Sequence, residues 1–296
     1  MFTSTEQIHN ELVNIGLHPQ QLKYIDRGVM TDKYLFLNQG KYYIVRCFQP
    51  ERAWLASAEY KYLELFSKEG IKAPIPYYFS EREVPFLIYE RLEGDTLSNT
   101  FYLLTEKNKK RLCDEIVQNY TKITGIKNHG FGRMYGFELF SETSWEQFLI
   151  QSINAAEEYI KTNNLSLKPN LFDELYKFAI SIKVSEPRLI WSDFSSDNII
   201  VQSNGSLSGF IDFEGLLSGD PYLGIGYFKA RQSYSELYNM ISESLGQEQN
   251  RRLIDFYSII RWCRLLPYQK FPMPNGKERM PLNVFLPYSN DIMKDY

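Results

Sequence analysis

Two aspartates and an asparagine lie close together in the second half of the chain, and their types suit phosphoryl-transfer chemistry. In the segment "WSDFSSDN", Asp193 and Asn198 are five positions apart, and Asp212 in "FIDFE" follows Asn198 by 14 residues. Two β-like runs, "NIIV" and "LSGFID", lie in between and flank an Asn204-Gly205 turn. Because a hairpin brings its two ends together, the side chains of Asn198 and Asp212 can converge.

Oxygen ligands from an asparagine and an aspartate suit Mg²⁺, which takes its remaining ligands from water and phosphate. Asp193, on the loop before the hairpin, is placed to accept the proton of an attacking hydroxyl. The order D-x-x-x-x-N followed by D-F-x is that of phosphoryl-transfer enzymes of the kinase fold. Each residue taken singly is better explained as a turn cap or a strand end. The three together, at this spacing, favour a metal site.

The segment from Trp191 to Pro221 resembles the aminoglycoside phosphotransferase and choline kinase-like family. Members of that family carry an "HGD-x-x-x-x-N" loop, an "IDWE"-like segment and a following "GDP", where this chain has "WSDFSSDN", "IDFE" and "GDP". The resemblance extends more weakly over the whole chain. It implies a protein kinase-like fold in which Asp193 is the catalytic base and Asn198 and Asp212 hold magnesium. It also implies ATP or GTP as the co-substrate.

Several positions depart from the family pattern. Trp191 and Ser192 replace the usual His and Gly, and Gly224 stands where the family often has an aspartate after "GDP". Asp220 either buttresses the loop or caps a helix that begins near Pro221. Glu214 is either a carboxylate close to the metal or a plain solvent-facing glutamate.

The expected nucleotide-binding residues lie in the first 92 positions. By position, Gly28–Lys33 resembles the family's abbreviated phosphate loop, in which Gly28 lets backbone N–H groups approach phosphate and Thr31 is a further candidate contact. Arg46 lies on a β-branched strand where kinase-like folds place a lysine, and its guanidinium suits bidentate phosphate recognition. Glu59, on the following helix, is the candidate that holds Arg46; otherwise both are surface residues.

The segment "FLIYERLEG" resembles the connector between the two lobes of a kinase. Its backbone around Glu90 and Leu92 is expected to hydrogen-bond a purine edge. The same apolar run is equally typical of a buried strand, so the sequence leaves both interpretations open.

The order of elements predicts an α+β fold of two lobes. A small β-rich N-terminal lobe, residues 1–92, binds the nucleotide, and a larger helical C-terminal lobe, residues 93–296, carries the catalytic and acceptor-binding residues. A capping box at Ser4 and Gln7 opens the first helix. Further helices are expected at 53–68, 106–124, 145–162, 171–183, 234–246 and 248–266, and strands at 33–37, 41–48, "YYFS", "PFLIYERL", before Trp191, "NIIV" and "LSGFID".

Composition excludes several classes of protein. The net charge of -3 and the lack of a Lys/Arg-rich tract argue against a nucleic-acid partner. No apolar run is long enough for a membrane span, so no membrane partner is expected. Three widely spaced cysteines fit neither a disulfide framework nor a zinc site, and a cytoplasmic location is the simplest expectation. The oligomeric state stays open.

The expected activity is transfer of the γ-phosphoryl group of a nucleoside triphosphate to an alcohol group of a small molecule. Asp212 is only eight residues from Asp220, so the chain has no activation segment like that of protein kinases. The acceptor is left open among an antibiotic, as in antibiotic resistance, a sugar and an amino alcohol. From Ala230 to Tyr296, nine Lys/Arg and seven Asp/Glu give no acidic excess for a polycation. The alternative is an inactive or weakly active kinase-like binding or structural protein, for example one associated with a spore coat.

Overall fold

The computed structural model describes residues 3–26, 31–166, 170–232, 235–245 and 250–267. These residues form two compact units. The first comprises the residues up to Leu112 together with Tyr135–Leu139 and Ser196–Glu214. The second comprises Cys113–Met134, Phe140–Ser195 and the residues from Gly215 onward. The lobe division after Leu92 stays a prediction from the sequence.

Helices and strands alternate along the chain before a run of helices closes it. The described helices are α1 (Thr5–Asn14), α2 (Trp54–Lys68), α3 (Leu97–Thr100), α4 (Glu106–Gly125), α5 (Trp145–Thr162), α6 (Leu171–Ser181), α7 (Tyr222–Gln232), α8 (Glu236–Ser244) and α9 (Arg251–Leu265). The described strands are β1 (Gln20–Ile25), β2 (Asp32–Asn38), β3 (Lys41–Cys47), β4 (Pro76–Ser80), β5 (Phe86–Glu90), β6 (Asp95–Thr96), β7 (Phe131–Gly136), β8 (Leu139–Glu142), β9 (Arg188–Trp191), β10 (Ile199–Val201), β11 (Leu207–Phe210) and β12 (Leu216–Gly219).

The first unit is built on a five-stranded antiparallel sheet in the order β1-β2-β3-β5-β4. The β2–β3 hairpin turns at Gln39 and Gly40, whose φ angles are 50° and 79°. Positive φ at both central residues is the requirement of a type I′ turn, which matches the twist of the strands it joins. The "NQGK" hairpin predicted from the sequence is therefore confirmed.

Helix α1 packs on this sheet through a small apolar core. Ser4 accepts a hydrogen bond from the Gln7 N–H, and the Gln7 side chain accepts one from the Ser4 N–H, so the predicted capping box is confirmed. Ile8 and Leu12, four residues apart on one face of the helix, are fully buried against strand residues that include Phe36. Burial of a Leu or Ile side chain contributes about 1.5–3 kcal/mol.

A second, three-stranded sheet of the first unit has the order β11-β10-β6. The β10–β11 hairpin is antiparallel, with Ile199 opposite Phe210, and Gly205 in its turn has a φ of 77°. The sequence predicted both strands and the Asn204-Gly205 turn, and the structure confirms them. A short 3-10 turn, Ser196–Asn198, leads into β10.

The second unit combines helices with most of a four-stranded sheet of order β8-β7-β12-β9. Its core lies where α5, α7 and α9 meet, and it includes the buried side chains of Trp145, Leu149, Tyr227, Tyr257 and Ile260. The combination of a β-rich N-terminal sheet with a helical C-terminal part confirms the predicted α+β class. Among the described helices, none has the length and hydropathy to cross a bilayer.

Several elements were missed in the sequence. Strand β1 carries no fully buried side chain, so it shows no alternation of apolar and polar residues. Helix α7 contains Gly224 and Gly226 and is buried on most sides, so it shows no amphipathic stripe. The sequence also gave no signal for β7, β8 and β12. The predicted helix at 171–183 ends at Ser181, and those at 234–246 and 248–266 are described over the shorter spans of α8 and α9.

Substitution of Gly94 by alanine tests the contact between the Leu92–Gly94 turn and β10. Gly94 has a φ of 119°, and a Cβ atom there would lie 2.1 Å from the Val201 carbonyl oxygen. Both the backbone strain and the overlap oppose the change, so we expect Gly94→Ala to lower the free energy of unfolding by about 3 kcal/mol in urea titration. Gly125→Ala is the control, because nothing lies within 4 Å of its Cβ position. Equal stabilities for the two variants would contradict this packing.

Candidate active site

Arg46, on β3, is the centre of a buried network of charges in the first unit. Its side chain is 2% exposed. Nη1 donates to both carboxylate oxygens of Glu59, at 2.9 and 2.8 Å. Nη2 donates to Asp212 Oδ1 at 2.9 Å and to Glu214 Oε2 at 2.7 Å, and Nε donates to Thr31 Oγ1 at 3.3 Å. One guanidinium on β3 thus connects the residue before β2, helix α2 and the segment that follows β11.

Elements far apart in the sequence position these groups. Glu59 lies on the buried face of α2, three residues before Tyr62 and four before Leu63, which are also buried. Its Oε1 also accepts the Phe213 N–H at 3.4 Å, so Glu59 holds both Arg46 and the backbone beside Asp212. Asp212 itself has a φ of 66°, which is uncommon for a residue other than glycine. The ion pair with Arg46 accompanies this conformation, whose strain must be offset by its surroundings.

The charges of the network shift the pKa values of Asp212 and Arg46 in opposite directions. Burial opposes ionisation of Asp212, but the charges of Arg46 and Lys33 outweigh burial and hold the pKa of the carboxyl below its ordinary value. Burial likewise opposes the charged form of Arg46, and Asp212, Glu59 and Glu214 more than compensate, so the pKa of Arg46 is raised further. Both groups are therefore charged across the physiological pH range.

Two further cations flank Arg46. Lys33 lies directly opposite Arg46 in the β2–β3 ladder, and its Nζ is 3.9 Å from Asp212 Oδ2. Burial and the nearby Arg46 lower the pKa of Lys33. Arg52 pairs with Glu214, whose side chain is only 18% exposed, so the solvent-facing interpretation of Glu214 is wrong. Like charges directly opposite on neighbouring strands are destabilising unless anions compensate them.

Asn198 and Asp212 flank the open end of the β10–β11 hairpin. The Ile211 N–H donates to the Asn198 carbonyl oxygen at 2.9 Å, so the backbone of one candidate ligand is bonded beside that of the other. Asp212 is ionised and both side chains offer oxygen atoms, which fits the ligand chemistry of Mg²⁺. Among the described residues, no group of three or more His, Cys, Asp or Glu side chains is placed to hold a metal.

The other candidate nucleotide contacts differ in their surroundings. Gly28 lies outside the described residues, whereas Thr31 is buried and bonded to Arg46. The Glu90 N–H donates to the Ile75 carbonyl at 2.9 Å, and the Glu90 carboxylate pairs with Lys41. In the part of the chain that the structure describes, the Leu92 N–H has no partner, which leaves it as a donor.

Asp193 belongs to the second unit, on the loop that follows β9. The next residue, Phe194, is fully buried in an aromatic cluster, with ring centroids 4.7 Å from Tyr120, 4.5 Å from Phe228 and 5.5 Å from Trp191. Asp193 itself keeps a side chain that is 34% exposed and accepts a hydrogen bond from Arg231 of α7. The cluster fixes the loop while the carboxylate stays accessible.

The departures from the family pattern have structural explanations. Trp191 is fully buried in that aromatic cluster, and the Ser192 N–H and hydroxyl both donate to the Gly215 carbonyl. At Gly224, a Cβ atom would lie 2.2 Å from Tyr120 Oη. Tyr120 thus fills the space in which an aspartate side chain would start, so these three residues form one alternative packing of the loop.

Asp220 is buried just before α7, and burial raises its pKa. It accepts the Tyr222 N–H at 3.0 Å and the Tyr257 hydroxyl at 2.8 Å, and Tyr257 in turn accepts Trp145 Nε1–H at 2.9 Å. Asp220 therefore bonds the N–H group at the start of α7, as the helix-cap interpretation expects, and links this helix to α9 and α5 through Tyr257 and Trp145.

Sequence reasoning missed four charged residues of these sites. Lys33 and Arg52 lie beside the Arg46 network, Arg231 bonds Asp193, and Arg261 packs on Tyr227, one helical turn before Arg231. Lys33 had a signal, because it alternates with buried residues on a strand that pairs with Arg46. The arginines had none, since their positions depend on how helices pack.

A buried basic residue on β3 paired with a helix glutamate, together with an aspartate that follows a β-hairpin, is the arrangement of phosphotransferases with the protein kinase fold. Comparison with known proteins supports this class. The sequence model of the phosphotransferase enzyme family, APH, matches residues 21–262. The chain belongs to this family and is a phosphotransferase.

Solved aminoglycoside phosphotransferases share the fold over nearly the entire chain. A thermostable mutant of APH(4)-Ia, in a ternary complex with ADP and hygromycin B, has a TM-score of 0.73 at 15% identity, covering 98% of this chain and 97% of that one. The streptomycin-ATP-APH(2″)-IIa ternary complex gives a TM-score of 0.67 at 17% identity, covering 99% and 97%. The predicted protein kinase-like fold is confirmed. No curated protein matches the chain significantly.

Replacement of Arg46 by methionine tests the network directly. The change leaves three carboxylates without their shared cation, so we expect Arg46→Met to lower the free energy of unfolding by about 3–5 kcal/mol at neutral pH. The depressed pKa of Asp212 stabilises the wild-type fold above the ordinary value of 3.8, and this stabilisation is lost as pH falls through the lower folded value. The difference between wild type and variant should therefore narrow in urea titrations carried out at decreasing pH.

Lys41→Met is the matched control for this experiment. Lys41 also lies on β3 and also pairs with a carboxylate, that of Glu90, but its side chain is 64% exposed. Exposed ion pairs contribute little, so this variant should unfold like the wild type. A difference between Arg46→Met and wild type that stays constant with pH would show that lost packing, and not charge, is responsible.

Proposed function

We propose that this protein transfers the γ-phosphoryl group of a nucleoside triphosphate, ATP or GTP, to an alcohol group of a small molecule. The observation that carries the proposal is the buried Arg46, held by Glu59 and in contact with Asp212. Such an ion network is costly to desolvate, and a purely structural core would be as stable with apolar residues. A phosphate-binding role explains why Arg46 and Lys33 lie directly opposite each other.

The nucleotide is bound by residues of the first unit. Arg46 and Lys33 bind the phosphates, Thr31 and Glu59 hold Arg46 in position, and Gly28 contributes backbone N–H groups. The Leu92 N–H, two residues after Glu90, is a hydrogen-bond donor for the purine base of the nucleotide. Asn198 and Asp212 would hold Mg²⁺, which would neutralise charge on the β- and γ-phosphates. ADP and ATP are named in the complexes of APH(4)-Ia and APH(2″)-IIa, which supports a nucleotide co-substrate here.

Asp193 is the proposed catalytic base, which accepts the proton of the acceptor hydroxyl. Its carboxylate is partly exposed on a loop that the Phe194 aromatic cluster holds in place, as positional catalysis requires. The cytoplasmic location stays a prediction. The alternative of an inactive kinase-like binding protein becomes an outcome of the tests below.

Variants of the two aspartates should separate chemistry from nucleotide binding. Asp193→Asn should lower kcat by roughly 10²–10⁴-fold and leave the Kd for Mg-ATP almost unchanged, because it removes only the base. Asp212→Asn should abolish the difference in ATP affinity between Mg²⁺ and EDTA buffers, measured by calorimetry. The control is Asp197→Asn, an exposed carboxylate in the same loop. ATP binding without turnover on any acceptor would favour the inactive alternative.

Lys33 should contact the phosphates of the nucleotide and not its purine base. Loss of one charge-assisted contact predicts that Lys33→Gln raises the Kd for ATP roughly 10- to 100-fold and leaves that for adenosine unchanged. Lys23→Gln, an exposed lysine on the neighbouring strand β1, is the control. If Lys33→Gln weakened ATP and adenosine binding equally, the phosphate role of this residue would be rejected.

A further inference from the structure

The carboxylate of Asp193 lies in cationic surroundings within the second unit. Arg231 of α7 donates a hydrogen bond from Nη2 to Asp193 Oδ1, and its side chain is 26% exposed. Asp193 is the only acceptor that Arg231 has among the described residues. Because a guanidinium has five N–H donors in a planar fork, most donors of Arg231 stay available for a second anion.

Arg261 of α9 adds a second cation to this place. Its guanidinium carbon lies 5.2 Å from the centre of the Tyr227 ring, and Tyr227 is four residues before Arg231 on the same face of α7. The structure records no ion pair or hydrogen bond of the Arg261 side chain with any residue that it describes. Burial together with the charges of Arg231 and Arg264 lowers the pKa of Arg261 to about 10, although Asp193 acts in the opposite sense.

The hydroxyl of Tyr227 is a buried donor in the same place. Tyr227 is 3% exposed, and its Oη has no hydrogen-bond partner within the described part of the chain. Buried polar atoms are satisfied in nearly all native structures, so an unpartnered one needs a specific explanation. Arg261 is half-buried and packs on the ring of Tyr227, and neither its guanidinium nor the buried Tyr227 hydroxyl has a partner among the described residues. Arg231, which bonds Asp193, lies one helical turn from Tyr227, so this place offers the cations and the donor that a binding site for an anion requires.

We propose that the acceptor carries an anionic group, a carboxylate or a phosphate, near the hydroxyl that is phosphorylated, and that Arg231 and Arg261 bind this group. The inference rests on the proposed function and specifies the acceptor class. Arg264, whose guanidinium carbon lies 4.5 Å from the centre of the Phe148 ring, adds to the positive charge. Lys229, also on α7, is already paired with Asp255 and is not available.

The reaction then runs between an anionic alcohol and the nucleoside triphosphate. The acceptor oxygen forms a bond to Pγ as the bond from Pγ to the bridging oxygen of the β-phosphate breaks. The hydroxyl proton passes to Asp193, and the nucleoside diphosphate leaves with the electron pair of the broken bond. Arg231 contacts both Asp193 and the anionic group of the acceptor, so it sets the distance between the base and the reacting hydroxyl.

The same charges exclude a polycationic acceptor. An aminoglycoside would place ammonium groups beside Arg231 and Arg261, and like charges at short range repel strongly where water is partly excluded. A site that rejects the wrong charge discriminates as effectively as one that attracts the right charge. This chain therefore differs in its acceptor from the proteins whose complexes with hygromycin B and streptomycin share its fold.

The first experiment compares acceptors that differ only in charge. ADP release from ATP is measured for the purified full chain with glycerol, glycerate and glycerol 3-phosphate, and with glucose, gluconate and glucose 6-phosphate. Choline and hygromycin B are the cationic members of the panel. We expect turnover with at least one anionic compound and a kcat/KM roughly 10- to 100-fold above that of its neutral partner, as one charge-assisted contact implies. The carboxylate and phosphate members distinguish the two possible anions.

The second experiment tests whether Arg261 causes the preference for anionic over neutral acceptors. Arg261→Gln should raise KM for the anionic acceptor roughly 10- to 100-fold, with KM for ATP and the activity on the neutral partner unchanged. Arg261→Lys keeps the charge but not the planar fork, and should recover part of the loss. The control is Arg252→Gln: Arg252 lies nine residues earlier on α9, half a turn around the helix, over the ring of Phe178.

Each outcome decides between the proposals. Turnover limited to neutral or cationic acceptors, or an equal loss on charged and neutral acceptors in Arg261→Gln, would overturn the anionic acceptor and leave the kinase activity standing. No ADP release above background with any compound would overturn the anionic acceptor and the proposed function together. Urea unfolding of each variant excludes misfolding as the cause of a loss.

Discussion

The rest of the first unit depends on one buried guanidinium. Arg46 bonds Glu59, Asp212 and Glu214 at once. Glu59 comes from α2, whereas Asp212 and Glu214 come from the segment after β11. A buried charge is stable only when it is paired and hydrogen-bonded, so the helix α2, the strand β3 and the segment after β11 must all be in place together. The residues proposed to bind phosphate are thereby prearranged by the same interaction that holds these elements together.

The second unit holds the carboxylate of Asp193 in place without burying it, as its proposed role as catalytic base requires. Phe194 lies between Tyr120 and Phe228 and fixes the loop by ring contacts, while the adjacent Asp193 remains partly exposed. Trp191 and Gly224, which depart from the family pattern, belong to the same packing arrangement. These departures from the family pattern therefore affect the packing that supports the loop, and Asp193 itself keeps the position of the family's aspartate.

The proposed class of acceptor rests on the charges around Asp193 and not on the fold. Proteins with this fold bind aminoglycosides, as the complexes with hygromycin B and streptomycin show for those proteins. In this chain, Arg231 bonds the carboxylate of Asp193, and Arg261 lies over the ring of Tyr227, one helical turn before Arg231. The fold agrees with a phosphotransferase, whereas the proposed choice of the compound that receives the phosphate rests on side chains of α7 and α9.

The sequence by itself determined the local features and the class of the protein. The capping box at Ser4, the Gln39-Gly40 turn and the β10–β11 hairpin follow from short-range hydrogen bonding and backbone geometry, and the "DFSSDN" and "IDFE" segments indicate a phosphotransferase. Only the tertiary structure decided that Glu214 joins Arg46, that Gly224 faces Tyr120, that Arg231 bonds Asp193 and that Arg261 packs on Tyr227. These contacts join residues remote in sequence, and they depend on how helices and strands pack, which no local pattern encodes.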